Sequence, residues 1–589
     1  MPPPDDAVPA EPGLLSVVAG AHAVLIRWRG IGDVSPGSGA GVLALFGGLD
    51  PATVYAQPPF LTAPAGESLV VEGLPAGTTV WLGLGFSSDG GATWKPIGPR
   101  LSATTRAPLY VDAAASGAVV DGLTPETAFT SPLPALLTAL VQGGGNVWIA
   151  SGTYADSALP VFAGVAVAGG FAPGFVLAER DPVSFPVVLR GVPGQPVCDV
   201  QGGGTGAVLD GLELDGLGQS SAGLRVTDTP LEGRGLVVRR CAGPGIDLRG
   251  GENGDPLLTV LVDCRSFDQA AEGLTGHGAL ELQCFGVSLS ANAQEGLDLQ
   301  SLVAPDGRTT RLRARGCSFL GNGTEGADVD LAAPLTGGVQ GGRFELSFES
   351  SAFSGNGGAG LRIDIDHEAF PEWSSDIVVR GCVTRANGAD GVSLDLDGPA
   401  EVLLHRLSSS CNAGDGVHVT SELEPVLPVV SASALVGNAG CGLRAVGAQA
   451  SVIVAGSILA GNDGGGLLTD SPASAAVSSV AWRQASPWPA ALAHHVVVSS
   501  DPSTPLFERA PIDFGSVLAT GAGSVTLGPG APPILPGDLL EIDDDGVPRT
   551  ATLVNGASVT LDPPPDSASA PRRWSRFAAG VTSVDEDWT

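Results

Sequence analysis

Asn387-Gly388-Ala389-Asp390-Gly391-Val392-Ser393-Leu394, Asn412-Ala413-Gly414-Asp415-Gly416-Val417-His418-Val419 and Asn438-Ala439-Gly440-Cys441-Gly442-Leu443-Arg444-Ala445 are three successive copies of one pattern, Asn-x-x-x-Gly-Φ-x-Φ with Φ apolar. Working outward, the same pattern starts at Asn292, Asn322, Asn356 and Asn462. Weaker copies carry Gln219, Cys241 and Gln269 in the Asn column. The ten glycines of the column, from Gly223 to Gly466, are spaced 22, 28, 23, 30, 34, 31, 25, 26 and 24 residues apart.

A period of this size admits a helical repeat, a leucine-rich repeat or a β-solenoid. Helical arrays need long segments of 3.6-residue periodicity. Here the apolar runs, such as Val402–Leu404 and Val429–Val430, are short, and no leucine-rich consensus falls in register. The spacing predicts an all-β fold, a parallel β-helix whose coils stack at roughly 4.8 Å. Ten coils then span roughly 48 Å. In this reading each Asn bonds to the Asn of the next coil, the Gly supplies a sharp or positive-φ turn, and Φ-x-Φ points two side chains inward and one outward.

The entry to the repeat carries a resemblance. Leu109-Tyr110-Val111-Asp112, Gly122 to Phe129, Gly145 to Tyr154, Gly169-Gly170-Phe171 and Glu179-Arg180-Asp181-Pro182 resemble the first turns of bacterial right-handed, pectin-lyase-like β-helix proteins. Asp501-Pro502 and Pro505-Leu506-Phe507 resemble that family's last coil. Between the first segments, 132–142 reads as a short helix with Leu133, Leu136, Leu137, Leu140 and Val141 on one side, placed to cap the open end of the solenoid. The resemblance implies a fold far more than a reaction.

In front lies a run of short strands, Val24–Trp28, Gly41–Phe46, Leu69–Val71, Thr79–Phe86 and Thr93–Ile97, suited to a small antiparallel sandwich. Val70-Val71-Glu72-Gly73-Leu74-Pro75-Ala76-Gly77-Thr78-Thr79-Val80-Trp81 resembles a fibronectin type III domain. Trp28 sits at that family's buried tryptophan, and Trp81 stands where it usually has tyrosine. Past Asp470 the repeat fades, and Ser524–Leu527, Leu539–Ile542, Thr550–Val554 and Ser558–Leu561 read as a small β module closing the other end. The expected organisation is a flexible tether over 1–12, the sandwich over 13–107, the β-helix with its capping helix over 108–510 and the module over 511–589.

Composition excludes several functions. With 29 basic and 62 acidic residues the net charge is −33, which offers no basic footprint for nucleic acid and repels anionic membranes. No apolar run is long enough to insert in a membrane. No charged-then-apolar leader stands before Pro2-Pro3-Pro4-Asp5-Asp6; the expectation is an extracellular or cell-surface protein whose leader has been removed.

The eight cysteines could suggest disulfides. Cys264, Cys317 and Cys382 share a column but lie on alternate coils, about 9.6 Å apart, beyond the ~7 Å limit for a bridge. Stacked, buried, free thiols are expected. No Cys-x-x-Cys pair or matching histidine spacing assigns a metal-ligand set.

Gly276-His277-Gly278 matches a short polygalacturonase motif, without the other motifs of that family. Pectate lyases use Arg or Lys as base, and the one lysine, Lys95, lies in the sandwich. No catalytic residue is assigned. The polar feature that stands out is an acidic stripe. Asp247, Asp298 and Asp328 take the outward position of Φ-x-Φ; Asp330, Asp364 and Asp395 take the next. Such stacked carboxylates need calcium, arginines or full solvation. Asp366, His367 and Trp373 follow in a loop, and three insertions near 301–311, 332–343 and 366–375 are expected to stack as a wall beside the stripe. Asp298, Asp328, Asp330, Asp364, Asp366, His367, Trp373 and Asp395 thus form the candidate groove for a glycan or calcium. The expected role is structural or adhesive, contacting a polysaccharide or a cell-surface protein; a divergent polysaccharide lyase or hydrolase is the alternative. No organic cofactor is indicated.

Overall fold

Each coil places three short strands around an apolar interior. In the second unit of the chain, Val383–Arg385, Val392–Asp397 and Ala400–His405 pair in parallel with Ser408–Ser410, Val417–Thr420 and Val429–Ser431 of the following coil. The first unit repeats the arrangement: Arg265–Phe267, Leu274–Gly278 and Leu280–Phe285 pair with Ser288–Ser290, Leu297–Leu302 and Thr309–Arg315. The sheets built from the first, second and third of these strands are sheets A, B and C. This is a right-handed parallel β-helix. The computed structural model describes residues 13–483 other than 30–41, 51, 57, 60, 63–67, 88–92, 156–157, 205, 251–255, 303–307, 333–341, 367–373, 424, 470–473 and 479–480; beyond 483 it describes the strands named below. Contacts divide the chain into two units, 1–346 with 350–352, and 347–349 with 353–589.

The asparagines lie between sheets A and B and are all buried. Asn438 uses its whole hydrogen-bonding capacity. Its Oδ1 accepts from the Asn412 backbone N–H (3.1 Å) and Nδ2 (2.9 Å), and its Nδ2 donates to Asn462 Oδ1 (2.9 Å) and the Ser409 carbonyl (3.2 Å). Asn356, Asn387 and Asn412 repeat the link in the second unit, as Asn292 and Asn322 do in the first. Gln269 extends the ladder: its Oε1 accepts the Cys241 N–H at 2.8 Å.

The glycine column works differently from the expected turn. Gly296, Gly360, Gly416 and Gly442 are absent from the left-handed backbone region; that conformation falls on the residue before each Asn, as at Ala291 (φ 54°), Ala386 (53°) and Cys411 (56°). What the column needs is space. A Cβ on Gly416 would lie 2.5 Å from the Gly442 carbonyl oxygen and 2.8 Å from Asn438 Nδ2. The missing side chain is what lets the asparagine amide seat.

All eight cysteines are free, and seven are buried. Cys411, at the bend before Asn412, is exposed, contrary to the expectation of burial throughout. Burial pushes the Cys198, Cys241 and Cys264 thiols up to about 12, so they stay protonated.

The helix Pro132–Val141 forms, but its buried face is turned from the expected one and shares only Leu136 with it. Pro132, Ala135, Leu136 and Ala139 are buried, while Leu137, Leu140 and Val141 are exposed, Val141 at 87 %. Small residues win because the helix lies close on the first strands: Ala139 Cβ would be 3.6 Å from a Cβ on Gly145.

The front region is a sandwich of two antiparallel sheets, Gly13–Ala19, Ala23–Arg29 and Ser68–Glu72 against Leu61–Thr62, Val42–Gly48, Thr79–Ser87 and Lys95–Thr104. Trp28, Leu45, Leu84 and Leu101 share its core. It packs on the outer face of sheet C, where Val260, Val262 and Phe285 join that core. A buried ionic network fixes the contact. Asp210 Oδ1 accepts from Arg180 Nη2 (2.5 Å) and Oδ2 from Ser16 Oγ (2.6 Å). Arg180 also donates to the Gly169 carbonyl, and Arg234 donates to the Val17 and Ser102 carbonyls and pairs with Glu232. Asn146 Nδ2 reaches the Ala19, Thr104 and Arg106 carbonyls.

The coils continue past Asp470 through Ser474–Ser478, Ala481–Arg483 and Val496–Val498. Asp513–Gly521, Ser524–Leu527, Leu539–Ile542, Arg549–Asn555, Ser558–Asp562 and Arg572–Phe577 form a closed antiparallel barrel. The segment 501–507 lies outside the described residues.

Two outcomes follow. Asn438→Ala strips four buried hydrogen bonds and costs about 2–3 kcal/mol locally; hydrogen exchange should speed at the Asn412 amide, and Gly416→Ala should speed it too. Asp210→Ala leaves Arg180 unpaired in the interior and costs about 3–5 kcal/mol; it should expose Gly13–Ala19 to exchange while the Asn ladder stays protected.

Candidate functional site

The strands of sheet B alternate inward apolar with outward polar residues, as the period of two requires. Leu297 and Leu299 are buried inward; Asp298 lies between them on the outer side. In the first unit the outward column runs Arg225, Asp247, Thr275, Asp298, Asp328 in consecutive register. In the second it pairs Arg362 with Ser393, His418 and Arg444, and beside them Asp364 with Asp395 and Asp366 with Asp397. The predicted stripe is therefore present as in-register carboxylate pairs, Asp298–Asp328 and Asp364–Asp395. Asp330 falls at a register irregularity of its strand pair. His367, Trp373 and the tips of the three insertions lie outside the described residues.

Charge compensation differs along the stripe. Asp247 is held by Arg225 (3.0 Å) and Arg249 (2.7 Å). Asp364 meets Arg362 at 3.1 Å. Asp298 is 4 % exposed and accepts from the Gln300 amide at 2.8 Å, with acidic neighbours around it. Burial, then the charges of Glu295, Glu272 and Asp328, push its carboxyl up to about 7. Glu272 is raised as well, chiefly by burial. Glu272, Glu295 and Asp298 each bring one carboxylate oxygen within 4.8 Å of the others. His277 is exposed, 3.4 Å from Thr275 Oγ1, and it lowers the Glu272 carboxyl's affinity for a proton.

Asp395 is raised by burial and by Asp397, with Arg362 and His418 opposing. Asp397 Oδ1 accepts the backbone N–H groups of Glu422 (3.0 Å) and Leu423 (3.3 Å), so it shapes a turn.

The sequence reading missed a second acidic column. The residue just before the Gly column is Glu272, Glu295, Glu325, Asp390 and Asp415 on five coils. The signal was in plain view, inside the motif, at the position just before its Gly. This column supplies Glu272 and Glu295 to the first cluster, and Asp390 and Asp415 to a cluster with His418.

The first cluster is all oxygen. Its donor set suits a hard cation such as calcium, which takes six to eight oxygen ligands, or a retained proton. Both relieve the same repulsion.

No protein-family profile matches the chain, and no curated relative is found for it. Among solved structures, the chain is similar to the A-module of the Azotobacter vinelandii mannuronan C-5 epimerase AlgE6, at 16 % identity over 64 % of this chain and 100 % of that one, with a TM-score of 0.44. It is also similar to a family 28 exopolygalacturonase of Yersinia enterocolitica (13 %, 84 % and 99 %, TM-score 0.29). A third is the tailspike gp49 of an Acinetobacter baumannii bacteriophage, a capsular polysaccharide depolymerase (10 %, 85 % and 93 %, TM-score 0.27). Likeness at this level says nothing about the chemistry of sheet B.

Asp298 carries a pH dependence whose sign is fixed. Its folded pKa of about 7 lies above the ordinary value of about 4, so the folded chain binds a proton that the unfolded chain has released. Stability therefore falls as pH rises between those values and is level above them. Asp298→Asn removes this slope: thermal melts should show the variant gaining on the parent at pH 8 and matching it near pH 4.

Proposed function

We propose that this protein is an extracellular or cell-surface β-helix that uses the outer face of sheet B to hold a polysaccharide, in a structural or adhesive role. The observation that carries this is the in-register pairing of outward carboxylates, Asp298 with Asp328 and Asp364 with Asp395. The half-buried members of this row, Asp328, Asp364 and Asp395, offer closely spaced acceptors to sugar hydroxyls, and the row as a whole offers sites for bridging calcium. A net charge of −33 disfavours nucleic acid, and among the described residues no helix is long and apolar enough to cross a membrane. The sandwich is read as a fibronectin type III-like module. Its three-plus-four strand arrangement and its buried Trp28 support that reading.

One observation favours an enzymatic alternative, a polysaccharide lyase or hydrolase. A carboxyl near pH 7 with a second carboxylate beside it, Asp298 with Glu295, is what general acid–base attack on a glycosidic linkage uses.

Binding to a panel of neutral and uronate polysaccharides, with and without calcium, separates the two. The binding role predicts retention that calcium strengthens and that Asp298→Asn with Asp328→Asn weakens, with no new reducing ends or unsaturated products. Polymer turnover that Asp298→Asn abolishes would establish the enzyme instead.

A further inference from the structure

Asp390, Asp415 and His418 meet on the outer side of sheet B in the second unit, and their geometry is that of a ligand set rather than of a solvated patch. Each aspartate has one oxygen committed to the backbone of the following coil. Asp390 Oδ1 accepts the Asp415 N–H (2.6 Å), and Asp415 Oδ1 accepts the Cys441 N–H (2.5 Å). The other oxygen of each turns to the imidazole: Asp390 Oδ2 is 3.3 Å and Asp415 Oδ2 3.8 Å from His418 Nδ1. The three donor atoms lie within 4.8 Å of one another.

These spacings can be compared with a metal site. Nitrogen and oxygen ligands about 2.0–2.1 Å from a tetrahedral centre stand about 3.4 Å apart. The observed separations bracket that edge. One nitrogen with two carboxylate oxygens is a borderline donor set, suited to zinc and its neighbours over calcium. The side chains keep 18 % (Asp390), 9 % (Asp415) and 26 % (His418) of their exposure, so a fourth position faces solvent. Around them in register are Ser393 on the preceding strand and Arg444 on the following one. The Glu272, Glu295 and Asp298 cluster lacks a nitrogen donor and is not part of this inference.

We infer that Asp390, Asp415 and His418 form a binding site for a single divalent transition-metal ion of the zinc type, open to a water or a ligand atom on its solvent side. This site stands independently of whether sheet B holds a glycan. A histidine must be neutral to ligate a metal, so affinity rises with pH through the histidine range.

The test is calorimetric titration of the full chain with zinc chloride at pH 6 and pH 8, in a Cys411→Ser background so that the exposed thiol does not compete. One ion per chain is expected, tighter at pH 8. His418→Ala should weaken it at least about tenfold, and Asp390→Asn should do the same. Thermal melts without zinc check that both variants fold. Calcium is the control ion and should bind this site far more weakly. No zinc binding by the parent, or binding that folded His418→Ala leaves unchanged, overturns the inference.

Discussion

The coils depend on one steric constraint, the absence of a side chain at the glycine column. A buried asparagine amide must satisfy two donors and two acceptor sites, and the neighbouring coils supply most of them. Asn438 does so because Gly416 leaves its Nδ2 room; a methyl group there would lie 2.8 Å from that nitrogen. Glycine and asparagine therefore act as a pair across coils, as Gly416 with Asn438 and Gly442 with Asn462. The largest differences in coil length fall in the loops after sheet B, near 301–311, 332–343 and 366–375.

The same constraint orders the surface. Once the ladder fixes the register, side chains at equivalent positions are stacked whether or not their charges agree. Asp247 is stacked beside arginines and neutralised. Asp298 is stacked among acids and responds by holding its proton up to about pH 7. Backbone register thus sets which charges are stacked, and the electrostatics of each coil settle by protonation or pairing.

Much of the fold was legible because it is local and repeated. The asparagine column, the strand alternation and the sandwich strands from Ala23 onward all leave short-range marks. The role of the glycines was misread as a backbone turn, since sequence does not show that the obstacle is an atom of the next coil. The capping helix is apolar on both sides, so hydrophobicity could not choose its buried face; close approach favoured Ala135 and Ala139 over Leu140 and Val141. The docking of the sandwich was invisible, resting on pairs such as Ser16 and Asp210, 194 residues apart. Of the candidate site, the outward aspartates were readable by period, whereas Glu272, Glu295, Asp390 and Asp415 sit in the turn before the strand, outside the alternation used to find them.

The seated sandwich also restricts how anything elongated can approach. It occupies the outer side of sheet C over strands from Gly145–Ala150 to Leu280–Phe285, and the buried ions at Asp210, Arg180 and Arg234 tie it to those coils. A long partner lying lengthwise on that face would run into it as into a bollard. Side-on access to the same coils is left to sheets A and B, the latter bearing Asp298.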